Sequence, residues 1–256
     1  HRVQFGFTIT FHYLFPQLTM GLALLIVVLK GLGLRTGQPA WNEAARFWIR
    51  IFGLSFAMGV VTGIPMEFQF GTNWAAFSAK TGGVIGQTLA MEGIFAFVLE
   101  SSFFALLVFG ERRLGPRRHF LAAVALLAGS WLSGYFIIVT NSFMQHPTAY
   151  TVAPDGTFQI ADLARYVFNP WAIVQYLHNQ MAATVTGAFV MSSIGAFWML
   201  RGEHRDAARA SLAKIGMLMA SSARSGKPLH PTNLHVTRTL FPNDTVQSRL
   251  PDPGWL

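Results

Sequence analysis

From Phe5 to Leu29 the chain carries no Asp, Glu, Lys or Arg, and the same holds from Phe120 to Met144 and from Tyr166 to Leu200. Crossing about 30 Å of hydrocarbon takes about 20 helical residues, so each run is long enough to span a bilayer. Two further runs are interrupted only by acids: Ile51 to Phe70 contains Glu67, and Val84 to Gly110 contains Glu92 and Glu100. The pattern predicts an all-α integral membrane protein, a bundle of five transmembrane helices with spans at about 3–29, 47–70, 84–110, 119–144 and 171–200. A cleaved signal peptide is a poor reading of the first run, whose apolar stretch is too long and has no cleavage site after it.

Composition agrees. Of 256 residues, 52% are hydrophobic and only 12% charged, against about 25% charged in an ordinary soluble domain, and the mean hydropathy is +0.40. Too few charges remain to cover a soluble surface. The formal net charge of +8 in so apolar a chain fits a lipid bilayer rather than nucleic acid. The sequence has no Cys, which excludes disulfides, thiolate-held zinc or iron–sulfur clusters, thiolate-ligated haem and haem attached through C-x-x-C-H.

Basic residues alternate in density along the connections. The first has Lys30, Arg35, Arg46 and Arg50, the third Arg112, Arg113, Arg117 and Arg118, and the fifth Arg201, Arg205, Arg209 and Lys214; the second has only Lys80 and the fourth only Arg165. Cytoplasmic loops carry the excess, so the N-terminus is expected outside and the odd connections inside. The outer segment Gln145–Pro170 reads as turns, with Asp155-Gly156 and Asn169-Pro170 as its punctuation. After Lys214 the pattern fails. Residues 1–214 are expected to form the membrane domain, Ile215 to Ala220 begin a truncated or aberrant sixth span, and the tail to Leu256, rich in Ser, Pro, Asn, Thr and Arg, is expected to be disordered.

Ionisable side chains at membrane depth are costly and therefore functional candidates. His12 falls about 14 Å below the outer end of the first helix, Glu92 about 12 Å below that of the third and His178 about 10 Å below that of the fifth. Glu67 is near the outer end of the second. Glu100 lies about 12 Å nearer the cytoplasm than Glu92 and about 80° round a regular helix. Each has a bland alternative: a histidine bonding between helices, a Glu67 snorkelling at the interface, two packing carboxylates. Together, imidazoles at one depth with a Glu pair leading inward suit metal or haem ligation plus a proton relay. Pro16 removes the hydrogen bond to the carbonyl of His12 and is expected to kink the helix there. Trp41, Trp48, Trp74 and Trp171 fit interfacial belts, and Gly59-x-x-x-Gly63 is a small-residue packing pattern.

Four stretches resemble subunit I of the cytochrome bd type quinol oxidases, including the cyanide-insensitive members: RVQFGFTITFHYLFPQLTMGLA (Arg2–Ala23), FGLSFAMGVVTGIPMEFQFGTNW (Phe52–Trp74), AMEGIFAFVLES (Ala90–Ser101) and NPWAIVQYLHNQMAATVTG (Asn169–Gly187). The resemblance implies that His12 is an axial ligand of a high-spin haem at the oxygen-reducing site and that His178 ligates a low-spin haem b fed by quinol. Glu92 and Glu100 would lie by the high-spin haems and on the proton path; no ligand role is carried over to Glu67. The implied cofactors are haem b with haem d, or a second or third b-type haem. The implied partners are quinol, O2, a second oxidase subunit and the lipid of a bacterial cytoplasmic (inner) membrane.

Members of that family run through about nine spans, with a quinol-binding loop, a Met opposite the low-spin haem and a further Glu ligand, none of which is assignable here. The foreign character after residue 214 and the start at His1 lead to the expectation of a fragment, by truncation or a frame error, that is inactive alone. Readings from other classes are a haem-free proton-coupled transporter, in which Glu92 and Glu100 carry protons, and a membrane subunit that binds haem structurally.

Overall fold

A computed structural model describes residues 2–201. The expected sixth span, the tail and the basic residues Arg205, Arg209 and Lys214 lie outside the described residues. Within them, the chain forms α1 (Arg2–Thr36), α2 (Pro39–Gly71), α3 (Ala75–Met91), a π-helical segment (Glu92–Phe97), α4 (Val98–Phe109) and α5 (Glu111–Gln145). A short hairpin of β1 (Tyr150–Val152) and β2 (Phe158–Ile160) follows, then α6 (Leu163–Val167) and α7 (Pro170–Arg201).

Five helical stretches are long and apolar enough to cross a membrane: Val3–Thr36, Pro39–Gly71, Ala75–Phe109, Glu111–Gln145 and Leu163–Arg201. All five expected spans are present, and each is longer than its apolar run. Helix α2 begins at Pro39, well before the expected start near residue 47, because proline is pre-organised for the first helical turn. Pro16 does not end α1, which continues to Thr36.

The core sits where α1 crosses α2, α5 and α7, with Leu22, Ile26, Trp48, Phe52, Leu126 and Met191 fully buried. Trp48 is thus a core residue and not part of an interfacial belt. Helices α1 and α7 meet at glycines: a Cβ on Gly21 would run into the Ala183 carbonyl oxygen, and one on Gly187 would lie 2.9 Å from the Gly21 carbonyl carbon. Small residues let membrane helices approach this closely, and backbone cannot move aside as a side chain can.

The segment between α5 and α7 is more ordered than a string of turns. Strands β1 and β2 pair antiparallel with Thr151 opposite Gln159, and Asp155-Gly156 makes the turn, Gly156 taking φ 81°. The Asp155 carboxylate accepts hydrogen bonds from the Thr157 amide at 3.0 Å and the Thr157 hydroxyl at 2.7 Å. Those two bonds hold its carboxyl below the usual carboxylate range.

At the opposite end of the bundle, Lys30 is not a loop charge. It is only 4% exposed and pairs with Glu111 at 3.3 Å, with Arg46 4.0 Å from the same carboxylate. His119, fully buried beside them, donates from Nε2 to the Leu107 carbonyl at 2.7 Å.

Candidate haem and proton site

An apolar hollow between the helices, a cavity of about 530 Å³, is walled by α1, α2, the end of α3, the π segment, α4, α5 and α7. Its lining includes His12, Glu67, Glu92 and Glu100, four of the five titratable residues singled out from the sequence. Among its lining residues are three carboxylates and no Lys or Arg.

His12 is half-buried on α1, facing α2. Its Nδ1 is 2.9 Å from the Thr62 hydroxyl. The Gly59-x-x-x-Gly63 pattern is what admits it: a Cβ on Gly63 would lie 3.2 Å from His12 Cε1, and one on Gly59 would lie 3.5 Å from Phe15 Cβ. One residue along α1, Tyr13 donates from its hydroxyl to Asn179 Oδ1 on α7 at 2.7 Å, closing the cavity on that side.

Glu92 opens the π segment, and Ser133 of α5 donates to its Oε1 at 2.8 Å. Glu100 follows in the first turn of α4, only 6% exposed, and lines the cavity together with Ser130 of α5. Ser130 and Ser133 are three residues apart on α5 and so share a face. Sequence reasoning missed both serines, as it missed Thr62 and the buried His119. The π turn also alters the expected geometry, since a wider winding between Glu92 and Glu100 changes the 80° offset read from a regular helix. Glu67 is exposed at the cavity margin on α2.

His178 is not brought into this cavity. It is exposed on α7, next to Asn179, which is buried. The exposed face around it carries Val174, Leu177, Met181, Val185 and Phe189, spaced as one helical stripe. The two histidines therefore stand in two separate places, His12 on the cavity wall and His178 on an open apolar face.

Among the described residues, no three His, Asp or Glu side chains converge as a protein-only metal site requires. A haem asks less of the protein, one or two axial ligands and an apolar enclosure. His12 on the wall of a mainly apolar cavity supplies both. For His178 the donor is present and the apolar stripe continues on either side of it. The chemistry thus fits haem better than a bare cation.

The fold and the site define a multi-helix membrane domain with a cavity between the helices that combines an imidazole donor with carboxylates, Glu100 among them buried. A family profile described as cytochrome bd terminal oxidase subunit I matches residues 1–229, and the chain belongs to that family. It is 40% identical over 226 residues to cytochrome bd-II ubiquinol oxidase subunit 1 of Escherichia coli (strain K12), covering 88% of this chain and 44% of the relative. It is 35% identical over 225 residues to cytochrome bd ubiquinol oxidase subunit 1 of Bacillus subtilis (strain 168), covering 88% of this chain and 48% of the relative. The bd oxidase structure from Geobacillus thermodenitrificans superposes with TM-score 0.78 at 29% identity, over 84% of this chain and 49% of that one. The chain spans about half the length of the curated relatives it matches.

Proposed function

We propose that this chain supplies the oxygen-side haem pocket and one ligand of the electron-accepting haem in a quinol oxidase that reduces O2 to water. The observation that carries the reading is His12 on the wall of a cavity that also holds Glu92 and Glu100. In this reading His12 ligates a high-spin haem, d or b, and His178 a low-spin haem b, with further ligands and the quinol site supplied from outside the described residues. Bound haem supplies electron storage and oxygen reduction, which takes up four electrons and four protons per O2.

The protein's own part is to hold the groups and deliver the protons. Glu100, deep in the bundle, accepts protons from the cytoplasmic side and passes them toward Glu92, with the Ser130 and Ser133 hydroxyls aligning the two carboxylates. The N-terminus faces outside, in keeping with the alternating basic loops. The apolar walls of the cavity exclude water except along the polar line, which keeps reduced oxygen species from escaping. A second oxidase subunit and the inner-membrane lipid cover the exposed helix faces.

The test is spectroscopic, in the membrane-assembled oxidase that contains this chain. His178→Ala should remove the low-spin b-haem signal and spare the high-spin one; His12→Ala should do the reverse. Haem spectra unchanged in both variants would make these packing histidines, and absence of any haem would favour the proton-coupled transporter.

A further inference from the structure

We infer that Thr62 is a positioning residue for His12, setting its tautomer so that Nε2 is the atom free to bind iron. This deepens the haem reading and rests on it. The Thr62 hydroxyl has one proton and two carbonyl acceptors, Met58 O at 2.8 Å and Gly59 O at 3.1 Å. Carbonyl oxygens only accept, and a helical threonine characteristically donates back to the carbonyl four residues earlier.

With its proton directed to the helix, Oγ1 presents a lone pair to His12. The 2.9 Å contact to Nδ1 is then an Nδ1–H donation, since a bond needs one donor and one acceptor. The imidazole proton is thereby assigned to Nδ1, and Nε2 is left with a lone pair. Among the described residues Nε2 has no hydrogen-bond partner.

The helix register makes the arrangement specific. Gly63 follows Thr62 directly, and its missing side chain is what lets the ring lie close: a Cβ there would be 4.0 Å from Nε2 and 3.2 Å from Cε1. Thr62 therefore fixes the proton while Gly63 leaves space for the ring. An acceptor behind a metal-bound imidazole orients it and raises its basicity, and losing such a partner typically costs 10–100-fold in metal affinity.

The experiment compares Thr62→Val, which keeps the shape and removes the acceptor, with Thr62→Ser, which keeps the hydroxyl. Both are made in the assembled oxidase, with the low-spin haem signal as a check on assembly. Thr62→Val should lower the iron–imidazole stretching frequency of the high-spin haem, raise its reduction potential and reduce its occupancy about 10-fold when haem is limiting. Thr62→Ser should restore all three. Wild-type frequency and potential in an assembled Thr62→Val oxidase would overturn the inference. Should Thr62→Val not assemble, Thr62→Ala removes the hydroxyl without bulk and is read the same way; failure of both to assemble would assign Thr62 to packing alone. His12→Ala separates the two levels, because if it leaves the high-spin signal intact the haem reading itself fails, whatever Thr62 does.

Discussion

His12 and His178 stand on helices that touch, and the fold treats them in opposite ways. His12 has a hydrogen bond behind it, a glycine beside it and a cavity in front. His178 has an open apolar stripe around it, with Met181, one turn along, 71% exposed. The difference shows that one imidazole is organised by these helices themselves, whereas the other lies on a face that the described residues leave open. A buried histidine gains its tautomer from its neighbours; an exposed one gains it only when something covers it.

The two places are nevertheless joined by the α1–α7 contact, and the most disruptive way to probe their independence is to prise that contact apart. Gly187→Leu would force side-chain atoms into the backbone of Gly21 and Leu22, an overpacking expected to destabilise by about 3 kcal/mol or more. Both haem signals should fall together in purified protein. Loss of one alone would mean that the helices separate without affecting the other site.

A smaller effect sharpens the comparison on the cavity side only. Glu100→Gln keeps the side chain's shape and removes the titrating group, so quinol-driven oxygen uptake should slow by about 100-fold, the scale of a lost proton-transfer group, while both haem signals persist. Full oxygen uptake would make Glu100 a packing residue.

The smallest effect belongs outside both places, at the hairpin. Folding lowers the Asp155 carboxyl through its bonds from Thr157, so the turn's extra stability is present above the ordinary carboxylate range and is lost as pH falls through the lowered value. The protection of the Thr157 amide, relative to its intrinsic exchange rate at each pH, should fall over that acidic range and at neutral pH in Asp155→Ala, with no change at either histidine. Protection that is the same across that range in the native chain would remove Asp155 from the turn's stability.

Much of this was legible from residue order. Apolar length without Lys or Arg located the five spans, and the cost of a carboxylate in lipid singled out Glu92 and Glu100 before any contact was known. Where His178 points was not legible, because in α7 the buried face and the open face are both apolar and periodicity cannot tell a neighbouring helix from lipid. Trp48 was misplaced for the same reason: aromatic residues near a span end suit an interface or a core equally. Thr62, Ser130 and Ser133 were missed because a hydroxyl in a membrane helix ordinarily bonds its own backbone, and only the approach of another helix gives it a second role. Lys30 looked like a loop cation until its partner Glu111, far along the chain, came beside it.

The π segment from Glu92 to Phe97 bears on how the two carboxylates are kept in relation. A wider turn is a helix that has absorbed additional chain without breaking, so the angular phase between Glu92 and Glu100 is a matter of residue number as well as residue type. Adding or removing one amino acid between them would rewind the helix and swing Glu100 relative to α5 while leaving every neighbouring side chain chemically unchanged. The length of that short stretch is therefore as much a determinant of the polar line as the acids at its two ends.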